Sequence, residues 1–381
     1  MWNRWPHLAV SVSRSCPMAG KARAAVMIEA KRDLEIREYP IPQVEKGCIL
    51  VKITCCTICG SDLHTWLGKR IAPTPIILGH EIVGEIVELG EGVTHDSGDQ
   101  PLKIGDRITW TIMDSCGKCY YCREKGLMMK CRNLKKYGHD SCAPPPHFVG
   151  GFAEYCYITP GTCVIKLPSN LSDEEAAPAN CALATVVAGW EAIDLRPFEN
   201  LLIQGAGALG IYAAALAKHY GSNKIIVTDI LDHRLEFVKE FGATDTLNTK
   251  NMKDEEVIQA VLDLTDGFGV DAAMEVAGVP GLIPVGLRSL RKGGRFVAHG
   301  TAFPGANFTY DASDIVFRWL TIRGVHNYDT KHLQWGIHFL AQTKNIFPFH
   351  KLVTHRFPLN EINQAMKMAH SGEGIRVAVL P

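Results

Sequence analysis

Four cysteines constrain this chain more than any other feature. Cys116, Cys119, Cys122 and Cys131 read C-x2-C-x2-C-x8-C inside DSCGKCYYCREKGLMMKC. Thiolates at this spacing complete a tetrahedral shell around Zn²⁺, and four protein ligands leave no position open for a substrate. The stretch is therefore expected to form a structural metal lobe. An iron–sulfur cluster or unliganded thiols are the alternatives.

The 381 residues are too many for one ordinary core and suit two domains. Lys and Arg total 40 against 40 Asp and Glu. That balance offers nothing to nucleic acid or to an anionic membrane surface, and no apolar run approaches the roughly 20 residues that span a bilayer. Thirteen cysteines, several at metal-like spacing, fit a reducing compartment such as the cytoplasm better than a disulfide framework. The first residues hold no acid before Glu29 while Arg and Ser recur. This reads either as weak mitochondrial transit-peptide composition or as an extended gene start with Met18 as the true one. Residues 1–20 are set outside the fold.

From Ala24 to about Ala184, short β-like runs such as CILVKITC, EIVGEIVELG, DRITW and FAEYCYI are separated by Gly and Pro. They predict a mostly antiparallel, barrel-like domain. EEAAPANCALATVVAGWEAI reads as helical. Strand-like NLLIQG, KIIVTDI, DAAMEV, GRFVAHG and LTIRGV then alternate with helical stretches, which predicts a doubly wound parallel sheet. The last segment is expected to return to the first domain. The expected division is 21–183 with 327–381 for one domain and 184–326 for the other.

NLLIQ leads into Gly205-x-Gly207-x-x-Gly210 and an Ala-rich helix. Gly205 permits the tight turn, Gly207 lets backbone approach a pyrophosphate at the helix N-terminus, and Gly210 permits close helix–strand packing. Asp229 ends KIIVTD, where a carboxylate can bind a ribose 2′-hydroxyl and repel a 2′-phosphate, favouring NAD over NADP. His233 and Arg234 lie close enough to temper that preference, and Arg234 joins the candidate cofactor contacts. A Gly-rich turn that binds nothing, or a flavin site, is the alternative.

A second metal site is suggested by Cys59 in TICGSDLHTW, His80 in GHEIVG and Cys181 in APANCALATV. Two thiolates and an imidazole from distant segments can bind Zn²⁺ and leave a fourth position open, as catalysis requires. Asp62 can hold the His80 tautomer from the ring's other nitrogen. Taken singly, Cys59 reads as a strand cysteine and His80 as a satisfied core histidine. Cys55 and Cys56 read as core by strand alternation.

CGSDLH, GHE, the four-cysteine lobe, GGFAEY, GAGALG and GIRV together resemble a zinc-containing alcohol dehydrogenase of the medium-chain dehydrogenase/reductase superfamily, over Ala24 to Pro381. The resemblance implies a GroES-like catalytic domain, a Rossmann cofactor domain, two zinc ions and NAD, a small alcohol or carbonyl substrate, and a homodimer or homotetramer. It implies Cys59, His80 and Cys181 as catalytic ligands, Ser61 and His64 as a proton relay, and Arg376 as a contact to the cofactor pyrophosphate. Three departures stand out. The gap between Cys122 and Cys131 is one residue longer than usual for the family. Glu154 sits where polyol and threonine dehydrogenases draw a carboxylate ligand, although two thiolates suit zinc better. Glu81 could approach the metal. Finally, the APANCALATV stretch resembles a branch of zinc alcohol dehydrogenases proposed for phosphonate catabolism, which adds to the substrate list only. Trp66 and Ile112 are candidate pocket residues, and both read equally well as core. The implied activity is oxidation of an alcohol to an aldehyde or ketone. A polyol or threonine-type dehydrogenase is the next reading, followed by a zinc-independent reductase or a non-catalytic relative.

Overall fold

The computed structural model describes residues 20–381; the N-terminal segment read above as a transit peptide or an extended gene start lies outside the described residues. The first part of the chain builds an eight-stranded sheet around Ile49–Thr57. This strand reads ILVKITCCT and is buried on both faces, so it carries a nearly continuous apolar run rather than a strict alternation. Adjacent Cys55 and Cys56 point into two different hydrophobic clusters, as alternation requires. Glu81–Leu89 pairs antiparallel along its length on one side. Tyr155–Ile158 and Arg376–Leu380 share the other side.

Both C-terminal strands, Val353–Pro358 and Arg376–Leu380, belong to this first sheet. The chain therefore leaves the sheet, builds a second unit and comes back. That second unit is a six-stranded parallel sheet. Its spatial order is Asp245–Asn248, Ile225–Asp229, Leu201–Gln204, Val270–Glu275, Leu290–Ala298, Thr321–Gly324. Chain order reverses between Leu201–Gln204 and Val270–Glu275. A doubly wound sheet opens its ligand crevice at that point. The fold is thus α/β, a GroES-like mostly antiparallel barrel joined to a Rossmann sheet. Among the described residues, no helix is long and apolar enough to cross a membrane.

One segment differs from its expected continuous helix. EEAAPANCALATVVAGWEAI breaks into helix Asp173–Ala176, a 3-10 turn Ala177–Asn180 carrying Pro178, and helix Ala182–Ile193. Pro178 lacks an N–H and cannot continue the helical ladder. The break leaves Cys181 as the N-cap of the second helix.

Candidate active site

Cys59 caps the short helix Gly60–Trp66, with extended backbone before the first turn. Asp62, only 1% exposed, sits at the third helical position and accepts from three donors. Its Oδ2 takes the Cys59 backbone N–H at 2.9 Å. Its Oδ1 takes the Gly79 backbone N–H at 3.0 Å and faces His80 Nδ1 at 3.2 Å. One carboxylate thus fixes the two segments that carry Cys59 and His80. It also leaves His80 Nε2 as the free ligating nitrogen. Gly79 is required here. Its φ is +84°, and a Cβ would lie 2.6 Å from Phe152 and 2.8 Å from the Cys56 sulfur.

Cys181 arrives from the third segment. It stands at a helix N-terminus, where the backbone dipole favours a thiolate. The preceding Asn180 is anchored to the Trp110 carbonyl at 2.9 Å, and its own carbonyl accepts from the Tyr328 hydroxyl. Ligand atoms of Cys59, His80 and Cys181 all lie within 4.8 Å of one another. The two sulfurs are 3.9 Å apart, close to the roughly 3.8 Å that tetrahedral Zn–S bonds of about 2.3 Å impose. The residues present fit zinc. The Cys181 hydrogen bond, with His80, holds the Cys59 thiol well below its ordinary range, while that same bond and burial push Cys181 up. Burial works against the His80 imidazolium, but Asp62 and Cys59 outweigh it and raise the ring to about 10. A divalent cation bound here would displace the Cys181 and His80 protons and be held by two thiolates and a neutral imidazole.

The four-cysteine lobe also assembles. Ligand atoms of Cys116, Cys119, Cys122 and Cys131 lie within 4.8 Å of one another. Cys119 is 3.5 Å from Cys122 and 3.9 Å from Cys131. Backbone N–H groups of Arg132 and Cys116 point at sulfurs, at 3.5 Å and 3.3 Å. The Arg132 N–H, then that of Cys122, lowers the Cys119 thiol to about 6. A 3-10 turn at Met128–Lys130 takes up the long spacing before Cys131.

Cys59, His80 and Cys181 open onto a cavity of about 290 Å³. Gly207, Ala208 and Gly278 of the parallel sheet form its opposite wall. Gly205 has φ +116°, and a Cβ on Gly210 would fall 1.9 Å from the Gly205 carbonyl oxygen. A Cβ on Gly207 would meet no heavy atom within 4 Å, so its backbone faces open space. These are the features a dinucleotide cradle needs. Asp229 is held by the N–H groups of Ala206, Ile230 and Leu231. A larger cleft of about 820 Å³ lies elsewhere, near Arg107 and Lys344. It holds none of the candidate ligands, and its ions are already paired, Arg107 to Asp173 and Lys166 to Asp106.

Ser61, His64, Ile112 and Arg376 also line the smaller cavity. Ser61 Oγ is 3.2 Å from His80 Nε2. Arg376 pairs with Glu81 at 3.1 Å, and its Nε has no partner. Four expectations need correction. Glu154 is held by the Arg23 guanidinium at 2.7 Å and the Arg23 backbone N–H at 2.6 Å, and lies outside the ligand cluster. Glu81 is tied to Thr57 and Arg376 rather than joining the cluster; burial pushes its carboxyl up to about 8. Trp66 packs in the barrel core with its N–H on the Arg32 carbonyl. Arg234 donates to the Gly372 carbonyl at 2.9 Å, joining the parallel-sheet unit to the returning C-terminal segment.

Five titratable cavity residues escaped the sequence reading: Arg70, Lys136, His139, His299 and His326. They sit outside any motif, so only the fold brings them together. His299 ends the strand Leu290–Ala298 with both ring nitrogens buried and unpartnered. Burial lowers it to about 4, so it is neutral. Gly189 makes room for it, since a Cβ there would lie 1.9 Å from His299 Nε2.

Sequence models of two families match the chain, an alcohol dehydrogenase GroES-like domain over residues 45–169 and a zinc-binding dehydrogenase domain over 208–342. The L-threonine 3-dehydrogenase of Pseudoalteromonas translucida is 32% identical over 363 residues, covering 93% of this chain and 98% of that protein. The chain belongs to the zinc-dependent alcohol dehydrogenases of the medium-chain dehydrogenase/reductase superfamily. Solved structures agree with this assignment. An alcohol dehydrogenase from Thermotoga maritima superposes with a TM-score of 0.90 at 32% identity, covering 95% of this chain and 99% of that one. A zinc-binding dehydrogenase from Sinorhizobium meliloti, bound to NADP, superposes at 0.84 with 26% identity, covering 95% and 100%. This dehydrogenase is accordingly a zinc-dependent oxidoreductase that works with a nicotinamide cofactor.

Proposed function

We propose that this dehydrogenase holds one zinc at Cys59, His80 and Cys181 and a second at the four-cysteine lobe, and oxidises a primary or secondary alcohol to the aldehyde or ketone with NAD. The observation that carries this reading is the three-ligand cluster facing bare Gly207 backbone across one cavity. When bound, zinc supplies a Lewis-acid position for the alcohol oxygen and the nicotinamide supplies the hydride acceptor.

The chain's own residues do the remainder. Ser61 stands beside His80 Nε2, where it can take the hydroxyl proton. His64, on the same short helix and the same cavity wall, can receive it next. Ile112 and Phe303 add apolar lining to the same cavity. Arg376, with its free Nε, and the N-terminus of helix Ala208–His219 are placed to hold the pyrophosphate. NAD is favoured over NADP because Asp229 would repel a 2′-phosphate, and one nitrogen of the nearby Arg234 guanidinium is held by the Gly372 carbonyl.

Elemental analysis should give two zinc atoms per chain. A panel of alcohols followed by NADH absorbance tests the activity, and the reading fails if zinc-loaded, NADH-binding enzyme oxidises none of them. The threonine dehydrogenases among the relatives make a hydroxy amino acid the second reading. We place the inserted cofactor domain at 184–326, the catalytic domain at 21–183 and 327–381, and the enzyme in a reducing compartment such as the cytoplasm. A homodimer or homotetramer is the proposed state. Thr321–Gly324 is an exposed edge strand, and Phe317 and Trp319 beside it are 82% and 84% exposed.

A further inference from the structure

The cavity wall beside the Cys59–His80–Cys181 cluster holds two cations, Arg70 and Lys136, and two histidines that burial keeps neutral, His139 and His326. Arg70 follows the helix that carries Ser61 and His64, its backbone N–H on the His64 carbonyl at 3.1 Å. Lys136 comes from the strand after the cysteine lobe and donates to the neutral Asn327 side chain at 3.1 Å. His139 Nδ1 donates to the Tyr137 carbonyl at 2.9 Å, with its ring 4.8 Å from that of His80. His326 is joined to Lys130 at 3.1 Å. These groups feel one another: burial, then the Arg70 charge, lowers the Lys136 ammonium to about 8.

No Asp or Glu among the described residues lines this cavity. Among the described residues, neither Arg70 nor Lys136 is within ion-pair distance of a carboxylate. The negative groups they feel are Asp62, Cys59 and Cys181 for Arg70, and Cys181 and Asp140 for Lys136; none is paired directly with either cation, and partly buried cations without a paired counter-ion are costly. The cofactor's own phosphates belong at the Gly205–Gly210 turn on the opposite wall. Arg70 and Lys136 come instead from the catalytic domain, in the same cavity as Cys59, His80 and Cys181.

We propose that Arg70 and Lys136 form an oxyanion subsite, so that the alcohol this enzyme oxidises carries a compact oxyanion, such as a carboxylate, near its hydroxyl carbon and no ammonium group. The described lining offers two cations and no carboxylate to pair with an ammonium, which favours this substrate class over the hydroxy amino acid. The inference rests on the dehydrogenase reading above.

Four substrates sharing one CH3–CHOH frame test it on the zinc-loaded, full-length enzyme: 3-hydroxybutyrate, 2-hydroxypropylphosphonate, 2-butanol and L-threonine. Either anion should exceed 2-butanol in kcat/KM by about ten-fold or more, the size expected for hydrogen bonds to a charged group. The better of the two identifies carboxylate or phosphonate. In Lys136→Met and Arg70→Leu the anion-to-2-butanol ratio should fall by about ten-fold, with NADH affinity, read by nicotinamide fluorescence, as in the wild type. Parity between the anions and 2-butanol overturns the proposal. So does faster oxidation of L-threonine than of 3-hydroxybutyrate, or a loss of NADH affinity equal to the loss of the anion preference. Calorimetry with butyrate and propylphosphonate, which have no hydroxyl to oxidise, reads the subsite apart from turnover. Binding to wild type that disappears in Lys136→Met supports the subsite even if no alcohol reacts, and absence of binding sinks it.

Discussion

Asp62→Asn isolates how much of the catalytic ligand set is held by one buried carboxylate. Asp62 accepts from Cys59 N at 2.9 Å through one oxygen, and from Gly79 N at 3.0 Å and His80 Nδ1 at 3.2 Å through the other. Asparagine has nearly the same shape but only one acceptor oxygen. If that oxygen keeps Gly79 and His80, the amide NH2 confronts the Cys59 N–H, and a buried donor is left unpaired. That costs about 1–3 kcal/mol. If the amide turns the other way, His80 Nδ1 must become an acceptor, and the proton moves to the nitrogen meant for the metal. Both arrangements weaken zinc binding, and the expected loss is about 10–100-fold, or about 1.4–2.7 kcal/mol. The assay is competition with a chromogenic chelator, following the two zinc ions separately. The four-cysteine site, which Asp62 does not touch, should keep its ion. A catalytic-site affinity within about two-fold of wild type would refute the argument that this carboxylate orients the ligands.

Further outcomes follow from the same geometry. Gly79→Ala should destabilise the fold by more than about 2 kcal/mol, because φ +84° and contacts of 2.6 Å and 2.8 Å coincide there; a denaturant midpoint equal to wild type would contradict this. His64→Ala should lower turnover without loss of zinc, with partial rescue by added imidazole; undiminished activity across pH would remove His64 from the relay. Burial, then Lys69, holds His64 below its ordinary 6.5, so it is a proton acceptor at neutral pH. The acid limb of kcat should accordingly lie below pH 6.5 and flatten in His64→Ala. Cys119→Ser should cost folding or assembly rather than chemistry; a zinc-depleted variant as stable as wild type by thermal melting would argue against a structural lobe.

Local chemistry carried a large share of this protein in its sequence. The C-x2-C-x2-C-x8-C spacing, the Gly205-x-Gly207-x-x-Gly210 turn and the strand–helix alternation are short-range patterns, and each dictates a local geometry whatever surrounds it. Alternation was enough to send Cys55 and Cys56 to the core. Only the tertiary structure could decide which distant side chains meet. It took Glu154 out of the metal site by giving it Arg23, turned Trp66 into the barrel core, and spent Arg234 on a carbonyl. It also brought Arg70, Lys136, His139, His299 and His326 around one cavity. The physical reason is range. A cap, a turn or a metal hairpin is set by neighbours along the chain, whereas a cavity wall is set by packing between segments that the sequence leaves far apart.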